Sequence, residues 1–394
     1  MAGDHQGTTI LVLFADTGAG HRRVAEAVIE ALAATTSRCH PVLCDPLAGP
    51  SAARPLRLLA RLYGPTVRWA PWVWGAAYYV SNSRPAMALL WRTAFRFANR
   101  VVAGQVAAIR PAVIVSCHPL TGRAAVLAAR RGAGASVPTV TVVTDLAEVH
   151  ASWRYPLTSR LAVASPQALA ACLARGVPPA RCAETGLPVE ARALAGAPQL
   201  AERAMLRCSL GLSERDFVVL LAGGGEGCGG LARRTAAILR SFPDVHVVTA
   251  CGRNDGLRHR LEPKAAASGG RLTVLGFVGS FIDWIRCADI VVTKAGPGII
   301  AEAAGCGTPL LLTSHLPGQE RGNAALAARA GAGRRVHGIR GMLRELALLR
   351  EDPAALAAMR EGCLALARPA AAAEVAGIVA GLARPEALSS KVLR

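Results

Sequence analysis

The chain has 394 residues, 52% of them hydrophobic, and its 45 basic and 26 acidic side chains leave a net charge of +19. That length suits two domains with ample cores and excludes a disordered chain, and eleven cysteines without a C-x-x-C pair fit a reduced, intracellular protein rather than a disulfide framework. The charge points to an anionic partner: nucleic acid, a membrane surface or a phosphorylated substrate.

The N-terminal "MAGDHQGTT" lacks a basic region and an apolar core, so no signal peptide is expected there. Ile10 to Phe14 is a short apolar run that reads as a buried parallel strand. It breaks off into Asp16-Thr17-Gly18-Ala19-Gly20-His21, and Val24, Ala27, Val28, Ala31 and Leu32 then recur at helical spacing. Gly18 and Gly20 thus lie at the carboxyl end of a first strand, where open α/β sheets bind ligands, next to a helix N-terminus that suits an anion. His21 is either a group facing that ligand or an ordinary helix-start residue.

A strand at Pro41 to Cys44 precedes a segment of unusual composition. From Pro46 to Thr144 there is no acidic residue, while twelve arginines and nine of the seventeen aromatic residues fall there. Trp69, Trp72, Trp74 and Tyr78 are suited to insert at headgroup level, and Arg57, Arg61, Arg68 and Arg92 to meet anionic lipid. No apolar run is expected to reach the ~18 residues of a membrane span, and no nucleic-acid-binding motif is present, so nucleic acid is not an expected partner. Strands follow at Val113 to Ser116, Thr139 to Thr144 (ending in Asp145) and Leu161 to Ala164. The Gly-, Pro- and Ala-rich stretch 183–200 marks the domain boundary. The expected division is an N-terminal domain 1–190, a C-terminal domain 191–370 and a helical tail 371–394.

The second half restarts the alternation. Phe217 to Leu221 is a strand leading into "AGGGEGCGG", which holds Gly224, Gly225 and Glu226 but no Walker lysine. Strands at Val245 to Ala250 and Leu272 to Val278 follow, then Ser280 and Asp283 at the spacing of a capping box. The strand Ile290 to Thr293 ends in "KAGPG", and Gly298 to Cys306 reads as a helix closed by Gly307. Gly296, Pro297, Gly298 and Ile299 can cradle a diphosphate on backbone N–H groups, with Glu302 a turn further on to take a ribose diol. After the strand Leu310 to Thr313, "PGQERGN" offers Gln319, Glu320 and Asn323 to sugar hydroxyls. The pattern predicts an α/β protein of two Rossmann-like, doubly wound domains facing across a cleft.

The ordered motifs "DTGAGHR", "VVTDLAEVHASW", "GLPV", "LLAGGGEG", "CGRND", "LGFV", "TKAGPGIIAEA" and "PGQERGN" resemble the monogalactosyldiacylglycerol synthase family, the lipid branch of glycosyltransferase family 28. The resemblance implies a GT-B fold, with an acceptor domain before a nucleotide-sugar domain, and inverting hexose transfer (galactose or glucose) from a UDP-sugar to diacylglycerol. It makes His21 the catalytic base and puts Phe277 and Val278 at the uracil edge; Asp145 and Asp16, which also lie at strand ends, are the alternative bases. Glu302 matches the ribose-binding glutamate and Gln319 and Glu320 the sugar-binding pair. The family usually has glycine where this chain has Ala19, whose Cβ restricts the loop. No D-x-D motif stands in the sequence, so no metal or cofactor is expected beyond the UDP-sugar co-substrate. The expected place of action is the cytoplasmic face of the cell membrane, held peripherally. Competing readings are a same-fold transferase with a polyprenyl-linked or soluble acceptor, and a UDP-sugar 2-epimerase.

Overall fold

A computed structural model of the chain describes residues 7–16, 19–36, 38–48, 52, 54–93, 95–131 and 136–383. Two parallel six-stranded sheets organise them. The first contains β1 (Thr8–Leu13), β2 (Cys39–Cys44), β3 (Val113–Ser116), β4 (Thr139–Val142), β5 (Arg160–Val163) and β6 (Cys182–Glu184), in the order β2-β1-β3-β4-β5-β6. The second contains β7 (Phe217–Ala222), β8 (Val245–Ala250), β9 (Leu272–Leu275), β10 (Ile290–Lys294), β11 (Leu310–Ser314) and β12 (Gly333–Arg335), in the order β12-β11-β10-β7-β8-β9.

The central strands are apolar on both faces because helices cover both. Ile10, Leu11, Val12 and Leu13 of β1 are fully buried, as are Val218 to Leu221 of β7. In each sheet the order reverses once, between β1 and β3 and between β7 and β10. At such a switch point the loops leaving the two strands diverge and open a crevice at the carboxyl ends. The loops concerned are 14–19 and 117–118 in one sheet, and 223–230 and 295–296 in the other.

Among the described residues, one compact unit takes those up to 64, 75–191 and 370–383; the other takes 65–74 and 192–369. The helix Ala371–Ala383 packs on Gly20–Thr35 in the first unit, and Pro353–Leu366 packs on Pro297–Cys306 in the second. Contrary to the expectation from apolar runs, 353–383 is by length and composition alone long and apolar enough to cross a bilayer, with a mean hydropathy of 1.5. Its two helices instead bury Leu356, Met359 and Cys363 in one unit and Val375, Ala376 and Val379 in the other.

Two local expectations are corrected. Ser280 precedes the helix Phe281–Cys287 without a side-chain cap, because the Asp283 N–H goes to the Ser280 carbonyl at 3.2 Å, and the Asp283 carboxylate pairs with Arg192 at 2.6 Å. The three-residue edge strands β6 and β12, which lack an apolar run, went unread in the sequence. Gly307 does close its helix, with φ of +64°.

Candidate active site

In the first unit, Gly18 lies outside the described residues. Ala19 stands ahead of the helix Gly20–Thr35 with φ of +67°, a left-handed backbone that costs a residue with a Cβ about 1 kcal/mol. Ala19 offers no side-chain cap and no acid occupies the first turn of this helix, whose N-terminus carries the partial positive charge that suits an anion.

His21, in that first turn, is held by loops of two other strands. Its Nδ1 is 3.0 Å from the carbonyl oxygen of Cys117, just past β3, and 3.2 Å from Oγ1 of Thr144, just past β4. A carbonyl only accepts, so Nδ1 carries the proton and donates it, which leaves a lone pair on Nε2. The ring also meets the edge of His118 at 4.5 Å and lies 6.0 Å from Trp153. Burial lowers the imidazole to about 4, against the partial opposition of the Cys117 hydrogen bond. His21 is therefore neutral at physiological pH, the form a base requires.

The other candidate bases are tied differently. Asp16 is ion-paired with Arg22 at 3.2 Å, and Asp145 is buried and accepts the backbone N–H of His150 at 3.3 Å. His118 accepts from Leu120 N–H through Nδ1 and so caps the helix Pro119–Ala129. Its own proton then sits on Nε2, the arrangement of a donor.

His150 anchors the helix Pro71–Ser81 to the loop after β4. Its Nδ1 meets Ser152 Oγ at 2.7 Å, and its Nε2 meets Ser81 Oγ at 3.1 Å. Burial lowers it to about 4. Because His21 and His150 both stay neutral in the fold, the folded chain binds fewer protons than the unfolded chain between pH 6.5 and 4. Their contribution to stability is therefore complete above pH 6.5 and falls as the pH drops through that window. Denaturant midpoints measured from pH 8 to 4.5 should show this slope, and His150→Gln should reduce it by about one proton. An unchanged slope would mean that His150 titrates alike in both states.

The same network corrects one sequence expectation. Tyr78 is only 7% exposed: its ring packs 4.7 Å from His150 and its hydroxyl points to the Glu148 carbonyl at 3.4 Å. It does not face solvent as a lipid-inserting ring would. Trp74 is half-buried, whereas Trp69 and Trp72 are 84% and 72% exposed. Arg61 and Arg92 are exposed and Arg57 is half-buried, but Arg68 is paired with Glu226 at 3.3 Å in the second unit. Leu58, Leu62, Tyr79, Val80 and Leu89, not singled out in the sequence, enlarge the exposed apolar surface of these helices.

In the second unit, the loop after β7 carries Gly224 at φ of +70° and Gly225, whose carbonyl accepts from Arg253 N–H at 2.8 Å. Glu226 is buried between Arg68 and Arg253, the latter at 3.5 Å. The Arg253 guanidinium lies 4.9 Å over the exposed ring of Phe277, next to half-buried Val278. After β10, Gly296 starts the helix Pro297–Cys306, whose first turn includes Gly298 and Ile299 and lacks a side-chain cap. Glu302 is 5% exposed, so it is no solvated surface acid. Asn323 donates to the Ala295 carbonyl at 2.9 Å, and Glu320 accepts Leu316 N–H at 2.7 Å and pairs with Lys294. Gln319 is half-buried on the same loop. The sequence reading passed over Arg253 and Lys294, although both stand inside the motifs "CGRND" and "TKAGPG". Among the described residues no three His, Cys, Asp or Glu side chains group as a metal site.

Comparison with known proteins adds three findings. Residues 21–189 match the family model described as monogalactosyldiacylglycerol (MGDG) synthase. A probable monogalactosyldiacylglycerol synthase 2 of Oryza sativa subsp. indica is 31% identical over 333 residues, covering 82% of this chain and 70% of that protein. The Spinacia oleracea synthase is also 31% identical, again over 82% of this chain, which spans 63% of the spinach protein. Among solved structures, MurG of Acinetobacter baumannii aligns with a TM-score of 0.59 at 15% identity, over 95% of this chain and 99% of that one. A UDP-GlcNAc 2-epimerase from Neisseria meningitidis bound to UDP-GlcNAc aligns at 0.62 and 14% identity, over 95% and 99%. At such identities these likenesses speak for the fold, which is GT-B.

Proposed function

The chain belongs to the monogalactosyldiacylglycerol synthase family, glycosyltransferases of glycolipid synthesis, and on that premise we propose that it transfers a hexose from a UDP-sugar to the free hydroxyl of diacylglycerol, with inversion. The observation that carries the mechanism is the neutral His21, oriented through Nδ1 by the Cys117 carbonyl. As the acceptor oxygen bonds to the anomeric carbon, Nε2 takes the hydroxyl proton. The bond between that carbon and the diphosphate oxygen breaks, and its electron pair leaves with UDP. The imidazolium that forms keeps its Nδ1 proton on the Cys117 carbonyl. Glycine-loop N–H groups and the start of the helix Pro297–Cys306 meet the charge on the departing diphosphate. Glu302 takes the ribose, Phe277 and Val278 flank the uracil, and the loop with Gln319 and Asn323 meets the sugar.

Base and anion binding both come from the chain in this scheme, so the UDP-sugar is the sole co-substrate it needs. Diacylglycerol stays in the bilayer, so the enzyme works there as a peripheral protein on the cytoplasmic face. Support for that placement is the exposed Trp69 and Trp72 among arginines. The epimerase likeness is one of fold, and an epimerase has no use for such a surface. Incubation with UDP-galactose or UDP-glucose and diacylglycerol in phosphatidylglycerol vesicles tests the reading. A hexosyl-diacylglycerol product is expected. UDP release without glycolipid, or interconversion of the UDP-sugar, would overturn it.

A further inference from the structure

The chain uses arginine for all but three of its 45 basic side chains, yet the last residue of β10 is a lysine. Lys294 stands at the switch point between β7 and β10. A Cβ placed on Gly224, in the loop after β7, would lie 3.2 Å from Lys294 Cε. One placed on Gly296, ahead of the helix Pro297–Cys306, would lie 3.1 Å from Nζ. The ammonium thus rests against both glycine loops, beside the helix start that carries partial positive charge. Neither glycine can gain a side chain without pushing against it, and a broader guanidinium would crowd the same space.

Glu320 is the counter-charge. It is 2% exposed, pairs with Nζ through Oε1 and accepts Leu316 N–H through Oε2. With both oxygens engaged by the chain, this carboxylate is fixed in the position that aims the cation. Lys294 has three N–H donors and gives one to Glu320, so two remain for an anion lying across the glycine loops.

We propose that Lys294 is the cation that meets the donor's diphosphate, and that Glu320 is its positioning residue rather than a ligand of the hexose. The proposal rests on the UDP-sugar reading above. Negative charge grows on the β-phosphate oxygen as the glycosidic bond breaks, and a fixed ammonium there stabilises the leaving group without rearrangement.

Calorimetric titration of the 394-residue chain with uridine, UDP and UDP-galactose tests it. Lys294→Met should weaken UDP and UDP-galactose alike by about ten- to a hundred-fold and change uridine affinity by less than about twofold. Unchanged uridine affinity also shows that the unit is folded; should the methionine variant not fold, Lys294→Gln carries the same test. Glu320→Gln should shift UDP and UDP-galactose by one common factor, and that shift should vanish in the Lys294→Met background. Parental UDP affinity in the Lys294 variants overturns the proposal. So does a Glu320→Gln loss confined to UDP-galactose, which would return Glu320 to the sugar. A parent protein that binds no UDP at all would instead sink the UDP-sugar reading and this proposal with it.

Discussion

The His21→Ala protein should turn over about 10²- to 10⁴-fold more slowly than the parent while binding UDP with nearly parental affinity. The two effects separate because His21 belongs to the first unit and the proposed nucleotide site to the second. A pH profile sharpens the test. With the imidazole lowered to about 4 by burial, the acid limb of kcat/KM assigned to this group should lie near pH 4, well below the 6.5 of a free histidine. Near-parental turnover in the alanine variant would pass the role to Asp145, whose neighbour Thr144 touches His21, or to Asp16.

The second large effect concerns the bilayer. The protein should sediment with phosphatidylglycerol vesicles, and salt should release much of it. Each basic residue at such a surface contributes about 1 kcal/mol, decaying over a Debye length of roughly 8 to 10 Å. Arg68 is committed to Glu226, so Arg57, Arg61 and Arg92 form the set to replace. Changing all three to glutamine should lower partitioning at low salt by roughly two orders of magnitude. Trp69→Ala with Trp72→Ala should weaken the part that salt leaves bound. Equal binding to neutral and anionic vesicles, or none to either, would overturn the placement of these helices at an anionic bilayer.

The parts of the fold that lie deepest were the most legible. Ile10 to Phe14, Val113 to Ser116 and Phe217 to Leu221 are continuous apolar runs because a central parallel strand is covered on both faces. β6 and β12 have a neighbour on one side only and three residues each, too few and too polar to form a pattern. The glycine loops and His21 could be read because strand, turn and helix are contiguous there. What holds His21 could not be: a backbone carbonyl 96 residues away has no letter of its own, and Thr144 lies 123 residues away. The burial of Tyr78 is hidden in the sequence for a related reason. The helix Pro71–Ser81 is apolar nearly all round, so spacing does not tell its inner face from its outer one, and the His150 that claims Tyr78 is distant in sequence.

The packing of Ala371–Ala383 on Gly20–Thr35 bears on how the protein is made. The first unit opens with β1 and Gly20–Thr35, but one of its helices follows the whole second unit along the chain. At ~5 to 20 residues per second, roughly 20 to 70 s pass between synthesis of the two partners. Throughout that time Gly20–Thr35 lacks the helix that later buries Ala371, Ala372, Val375, Ala376 and Val379, and the second unit has all its residues before the first does. The half that starts first is thus the half that finishes last, and a nascent chain stalled before residue 371 would hold a complete second unit beside an unfinished, chaperone-binding first one.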